Sequence, residues 1–294
     1  MAKAKFSQFM LTLSTSPNYD VDIVNMLQKT WSNNRPLAAT SLLMFAAFLC
    51  SVTGIYLDPR VITGVPAWLK PAKFGISTAI YAGTLAWLFG YITVWPRFKR
   101  AMGGVIATVL IVEVAIIDMQ AARGTTSHFN VGTPLDATLF AIMAGSILIL
   151  WLANIGLLVA LFRERFADPA WGWALRLGLL VTILGAAIGG VMTRPTPAQM
   201  ESLKQHEQVR VIGAHTVGGP DGGPGLPAVG WSSRHGDLRV PHFFGLHGIQ
   251  IIPLFAWVIG RRRAPAAIIA FAGGYLTLFA LLTWQALAGR PLFG

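Results

Sequence analysis

Long apolar runs separated by short polar gaps set the organisation of this chain. A helix needs about 20 mainly apolar residues to cross a bilayer's hydrocarbon layer. Seven stretches meet that length approximately: 36–57, 71–95, 102–122, 135–162, 170–192, 241–260 and 265–288. The sixth opens on polar residues and is the weakest match. Trp68, Trp95, Trp151, Trp171 and Trp284 fall mostly near the ends of these runs, where interfacial aromatics collect. The pattern predicts an all-α fold, a polytopic transmembrane helical bundle of about seven spans. It divides the chain into a tail (1–35), five spans (36–192), a long loop (193–240) and two further spans (241–294).

Composition agrees. Apolar residues make up 54% of the 294 and charged residues 12%, against roughly 25% charged in a soluble domain. Too little polar surface remains to cover a globule in water. The formal net charge of +11 does not point to nucleic acid, because its residues crowd the ends of apolar runs and no basic stripe alternates with exposed aromatics. Arg97, Lys99 and Arg100 follow the second span, Arg163 and Arg165 the fourth, and Arg261 to Arg263 the sixth. Basic residues in short gaps hold them in the cytoplasm, so the expected orientation is N-terminus inside and C-terminus outside. The long loop carries Arg194, Lys204, Arg210, Arg234 and Arg239, but long translocated loops are weakly governed by charge. A lone cysteine, Cys50, excludes a disulfide within the chain. Residues 1–35 contain no signal-peptide core, so the first span is expected to stay as an anchor.

Two extramembrane segments stand out. Val21, Val24, Met26, Leu27 and Trp31 follow Asp20 at helical spacing, which predicts a short helix capped by Asp20, lying on the inner membrane face or packed on a neighbour. Between Gly213 and Gly236 the chain is dense in Gly and Pro, too dense for regular helix or strand. Loops of this length in compact proteins are functional or disordered, and His215, Trp231 and His235 favour an ordered cap. No internal repeat of the transporter kind is visible.

The polar residues that could carry chemistry gather in the outer half of this topology. All six histidines map there: His128, His206, His215, His235, His242 and His247. Histidine is both a common metal ligand and a proton carrier near neutral pH. His242 and His247 are five residues apart, roughly 140° around a regular helix, so they share one ion only if the helix start is irregular. His247 lies deepest, on the face of Gln250, and reads equally well as a core histidine. In the third run Glu113 and Gln120 are seven apart and point the same way, with Asp118 between them. A carboxylate as deep as Glu113 is expected to be paired, protonated or functional; Lys73 and Arg176 are its candidate partners. Lys70 and Lys73 open the second span, either as snorkelling anchors or, with Arg123, as a cationic rim for an anionic substrate or headgroup. Asp237 and Arg239 form a surface pair or orient His242.

Motifs for zinc proteases, thiol redox pairs, covalent haem, phosphate loops and serine hydrolases are absent. Three segments, KPAKF (70–74), RGTTSHFNVGTP (123–134) and HTVGGPDGGPGLPAVGW with GDLRVPHFFGLH (215–231 and 236–247), together resemble an uncharacterised group of bacterial multi-pass membrane proteins. These segments span about a sixth of the chain. It implies a bacterial cytoplasmic (inner) membrane location and carries no activity with it.

Three functions remain open. A redox protein would build its site from His128, His215, His242 and His247, holding haem b or a transition metal (Zn, Cu or Fe) above Glu113 and Gln120. A proton-coupled transporter or channel would use Glu113 with His247. An accessory subunit of a larger membrane complex, or a homo-oligomer, would use the cap loop as a docking surface.

Overall fold

A computed structural model describes residues 23–227, 229–260 and 264–293. Asp20 and Val21, expected to open the tail helix, and Arg261 to Arg263, used for orientation, lie outside these residues. The tail does form a helix, α1 (Ile23–Asn33), which leaves Met26, Leu27 and Trp31 uncovered. Asn34 then caps α2 (Arg35–Leu57), its Oδ1 accepting from Leu37 N at 3.1 Å.

The remaining helices are α3 (Leu69–Leu88), α4 (Pro96–Ala122), α5 (Pro134–Arg163), α6 (Pro169–Met192), α7 (Pro197–Lys204), α8 (Arg239–Leu246), α9 (Gly248–Val258) and α10 (Pro265–Leu287). Local sequence explains their edges. α4, α5, α6, α7 and α10 each begin on a proline, whose missing N–H costs nothing in a first turn. Thr133, Asp168 and Thr196 supply side-chain caps to α5, α6 and α7. Because α4 starts at Pro96, Arg97, Lys99 and Arg100 belong to its first turns rather than to a gap.

Among the described residues five stretches are long and apolar enough to cross a membrane: Arg35–Leu57, Pro96–Ala122, Pro134–Arg163, Pro169–Lys204 and Pro265–Leu287. The other two expected spans are different in kind. α3 is diluted by Lys70, Lys73, Ser77, Thr78 and Thr84. The sixth is broken at His247 into α8 and the shorter apolar α9. Large side chains such as Leu42, Phe45 and Leu49 on α2, Leu148 and Leu152 on α5, and Leu281 and Trp284 on α10 stand uncovered along these helices. Apolar faces of that extent suit lipid rather than water.

The core lies among α3 to α6 and α9, where Leu85, Phe89, Ile106, Leu157, Leu175, Leu179 and Ile249 are fully buried. α6 meets α8 and α9 at backbone contact. A Cβ on Gly185 would stand 2.4 Å from the carbonyl carbon of Gly245, and one on Gly248 2.8 Å from Val181. Small residues allow this approach where dispersion, not water, drives helix association.

The break at His247 would strand backbone groups in an apolar interior. Neighbouring hydroxyls take them up. Thr182 Oγ1 donates to Leu246 O at 3.1 Å and accepts from Ile249 N at 3.0 Å, and Tyr275 Oη donates to Phe244 O at 2.7 Å.

At one end of the bundle three loops knit together. Arg60 Nη1 donates to Ala122 O at 2.8 Å; Val131 N donates to Arg210 O and Ile212 N to Phe129 O, both at 2.9 Å. Among its described residues the Gly/Pro-rich loop holds one minimal antiparallel pair, β3 (Thr216–Val217) against β4 (Gly236–Asp237). Strand is thus present where the composition excluded it, though only two residues long. A second pair, β1 (Val61–Ile62) with β2 (Val65–Pro66), lies in the loop after α2.

Candidate functional site

Beneath this loop-covered end, three titratable side chains from three separate elements meet. Glu113 comes from α4, Lys70 from the first turn of α3, and His128 from the loop 123–133. Lys70 Nζ stands 3.0 Å from His128 Nδ1. An ammonium only donates, so Nδ1 is the acceptor and the ring proton sits on Nε2. That nitrogen lies 3.4 Å from Glu113 Oε1. Ser127 Oγ, also 3.0 Å from Nδ1, shares its lone pair. Phe74 and Phe129 wall the imidazole, with ring centres at 5.5 and 6.1 Å. Burial, then the charges of Lys70, His215 and His242, holds His128 well below the usual histidine range, so it is neutral at neutral pH.

Glu113 is 4% exposed. Its second oxygen, Oε2, is buried and has no hydrogen-bond partner among the described residues. It lies nine residues before the end of α4 at Ala122, about 14 Å along the helix. Neither partner expected from the sequence reaches it. Lys73 Nζ donates to Val229 O at 3.0 Å. Arg176 is spent at the opposite end of the bundle, donating to Leu161 O and Glu164 O and packed against Phe162, Phe166 and Trp173. Nor does Glu113 make an ion pair with His247, whose ring packs on Phe243 at 4.4 Å.

Gln120, on the same face as Glu113, belongs to a separate network. Its Nε2 donates to Asp136 Oδ1 at 2.8 Å, and its Oε1 accepts from Arg123. Arg123 also pairs with Asp136 at 2.7 Å, and Thr133 Oγ1 donates to Asp136 Oδ2 at 2.6 Å. This cluster pins the loop that presents His128. Arg123 and Gln120 therefore act on the site through the loop's position.

Two more histidines stand close to His128. His215 Nδ1 lies 2.9 Å from Asp221 Oδ2, and His215 packs on Phe129 at 4.9 Å. Burial keeps His215 below the usual range against the raising effect of Asp221. His242 Nδ1 lies 2.8 Å from Gly185 O. Both acceptors fix the ring proton on Nδ1, and Nε2 makes no hydrogen bond among the described residues. His242 is thus oriented by a backbone carbonyl and not by Asp237. That carboxylate instead takes Arg239 in a two-pronged pair (2.9 and 2.6 Å) and the backbone N of Ser232 at 2.7 Å, and it holds the cap loop. His206 ends the short α7 region, and His235 fills the space above Gly219.

Among the described residues no group of three or more His, Cys, Asp or Glu side chains is placed to hold a metal ion. His128 has both nitrogens engaged, and His247 stands apart at the helix break. The four-histidine arrangement expected from the sequence is not assembled.

The sequence reading passed over Ser127, Asp221, Thr182 and Tyr275. Asp221 left a signal, as the one carboxylate inside the Gly/Pro-rich run after His215. Thr182 and Tyr275 left none, since their partners are backbone groups freed by a break that sequence does not reveal. No known protein-family model, curated protein or solved structure matches the chain.

Proposed function

We propose that this integral membrane protein exchanges protons at its loop-covered end and uses them for proton-coupled transport, with Glu113 as the proton-bearing group. The observation that carries the reading is the unpartnered Oε2 of a carboxyl 4% exposed, inside a chain whose helices suit lipid. An ionised carboxylate there lacks the hydrogen bonds that would stabilise it, and a proton removes the cost.

The route runs through His128. The Lys70 ammonium passes a proton to Nδ1 while Nε2 gives its own to Glu113 Oε1. Lys70⁺ with Glu113⁻ becomes neutral amine with neutral acid, and the imidazole ends as its other tautomer. No net charge is created, which suits a low-dielectric site. His128 takes the role that the sequence gave to His247. The bacterial inner membrane, with the cap loop on the non-cytoplasmic side, is the setting that the resemblance and the basic residues at the ends of the apolar runs support.

A haem or transition-metal redox site is the second reading, favoured by one feature. His215 and His242 each commit Nδ1 to an acceptor, as ligating histidines do, and their Nε2 makes no hydrogen bond among the described residues. Such a group would be held by these two imidazoles.

Purified protein in detergent separates the readings. Infrared difference spectra across a pH titration should show a carboxyl C=O band that is lost in Glu113→Gln, while absorption and metal analysis stay blank. A Soret band, or stoichiometric Zn, Cu or Fe that leaves with His242→Ala, would transfer the function to the redox reading. If the Glu113 band does not titrate at all, the proton-exchange reading is lost.

A further inference from the structure

Charge near the site does not balance. Two cations meet the turn at Val229 and Gly230, and a third stands one helical turn away. Arg239 Nη2 donates to Gly230 O at 2.6 Å, Lys73 Nζ donates to Val229 O at 3.0 Å, and Lys70 lies one helical turn from Lys73. Arg239 is neutralised by Asp237. Lys73 meets no carboxylate among the described residues. Lys70 has only Glu113, reached across His128. Lys70 lies in the first turn of α3 and Lys73 at the start of the second; the first turn contains no acidic residue, and the N-cap, Trp68, makes no side-chain capping bond. The positive end of the helix dipole adds to their charge, and cations are disfavoured there. A half-buried positive spot of this kind calls for an anion.

We propose that Lys70 and Lys73 bind a monovalent oxyanion under the 229–232 turn, and that it binds together with the proton taken up by Glu113. The inference rests on the proton-exchange reading and adds a substrate class to it. With Glu113 ionised, Lys70 is already balanced and Lys73 alone attracts the anion. Protonation of Glu113 through His128 leaves Lys70 a neutral amine; when Lys70 regains a proton from solution, two ammonium groups face the ligand, and one anion restores the original net charge. Linkage makes the effect mutual: the proton tightens the anion and the anion tightens the proton. The charged and titratable groups on the elements around Glu113 are Lys70 and Lys73 on α3, Asp118 on its own helix, the Arg123–Asp136 pair, and His128, with His215 and His242 beyond it. Asp136 is satisfied by Arg123, Gln120 and Thr133, and His128 stays neutral. Glu113 is therefore the group whose charge change Lys70 feels most directly.

The oxyanion could be a free solute or a lipid headgroup. Dimethyl phosphate and short-chain dihexanoyl phosphatidylglycerol share one phosphodiester charge that does not titrate near neutrality, so they serve as separate probes. Each is titrated into the full chain in detergent, from about pH 5 to about pH 8, with tryptophan fluorescence and thermal shift as readouts. The proposal expects the affinity to fall by about tenfold per pH unit over the range in which Glu113 titrates. In Glu113→Gln the affinity should stay high and independent of pH, and Lys73→Met should weaken it about tenfold throughout. An indicator dye in weak buffer should register about one proton taken up per anion bound by the native protein, a measurement that needs no variant. Saturation by both probes assigns a free anion, and saturation by the lipid alone assigns a headgroup. Absence of saturable binding overturns the proposal, as does a pH dependence unchanged in Glu113→Gln or anion binding without proton uptake. If the infrared band of Glu113 titrates while no anion binds, this inference fails and the proton-exchange reading survives.

Discussion

Two glutamates toward opposite ends of the bundle are held in opposite ways. Glu164 follows α5 and leaves neither oxygen unused. Oε1 accepts from Val94 N at 2.6 Å and from Thr93 N, and Oε2 accepts from Thr93 Oγ1 at 2.9 Å. Its own carbonyl takes Arg176 at 2.9 Å. Both oxygens of the Glu164 carboxylate are thus held as acceptors, and they tie the turn before α4 to the end of α5. Glu113 is the opposite case, buried, with one oxygen facing an imidazole at 3.4 Å and the other unpartnered. The number of donors folded around each carboxyl separates the two, and in the proposed function Glu113 is the one that exchanges a proton.

The contrast can be broken by experiment. The largest effect is expected for Glu113→Gln, which keeps the shape and removes the titrating group. Proton-coupled flux in proteoliposomes should fall at least about a hundredfold, within the usual range for losing a positioned acid–base group, while detergent unfolding changes little. Retained flux would erase the distinction between the two glutamates.

The mirror experiment is Glu164→Gln. It replaces charge-assisted acceptors with weaker ones and should cost about 1–2 kcal/mol of stability, leaving the infrared titration of Glu113 intact. A shifted Glu113 band in this variant would mean that the two ends are coupled.

Acid should act on the loop-covered end through its histidines. His128 and His215 are held below the usual value in the folded chain, chiefly by burial. Their stabilisation is therefore fully present above the unfolded value of about 6.5 and is lost as pH falls below it, because the unfolded chain binds the proton more readily. Measured in the Glu113→Gln background, so that the carboxyl does not contribute, unfolding free energy should drop by up to about 1.4 kcal/mol per pH unit for each histidine. His128→Asn should shrink the drop. An unchanged acid slope would mean that His128 is not held neutral in the folded chain.

The smallest effect concerns the broken helix. Tyr275→Phe removes the donor to Phe244 O and should cost about 0.5–1.5 kcal/mol in thermal unfolding, with both glutamates unaffected.

Much of the architecture was legible in advance. The expected spans 135–162, 170–192 and 265–288 lie within a residue or so of α5, α6 and α10, because prolines and capping residues fix where such helices start. Glu113 was also legible, since few carboxylates sit so far inside an apolar run. Its partners were not. Lys70 and Lys73 stand on the same face of α3 at i and i+3, and helical spacing cannot say which one meets His128 and which one ties down Val229. The pairing of Gln120 with Asp136 was equally hidden, because it joins two helices across a loop.

What the chain alone determined is its solvent: apolar runs of spanning length and scarce charge fix a helical protein with lipid-facing sides, since burial of apolar surface depends on local composition and period. Which polar groups meet was settled only in three dimensions. Glu113, His128 and Lys70 are brought together by loop paths, and the Thr182 and Tyr275 hydroxyls satisfy a break that no local pattern announces. Contacts between residues tens of positions apart depend on packing geometry, and that information is not written in any short stretch of the sequence.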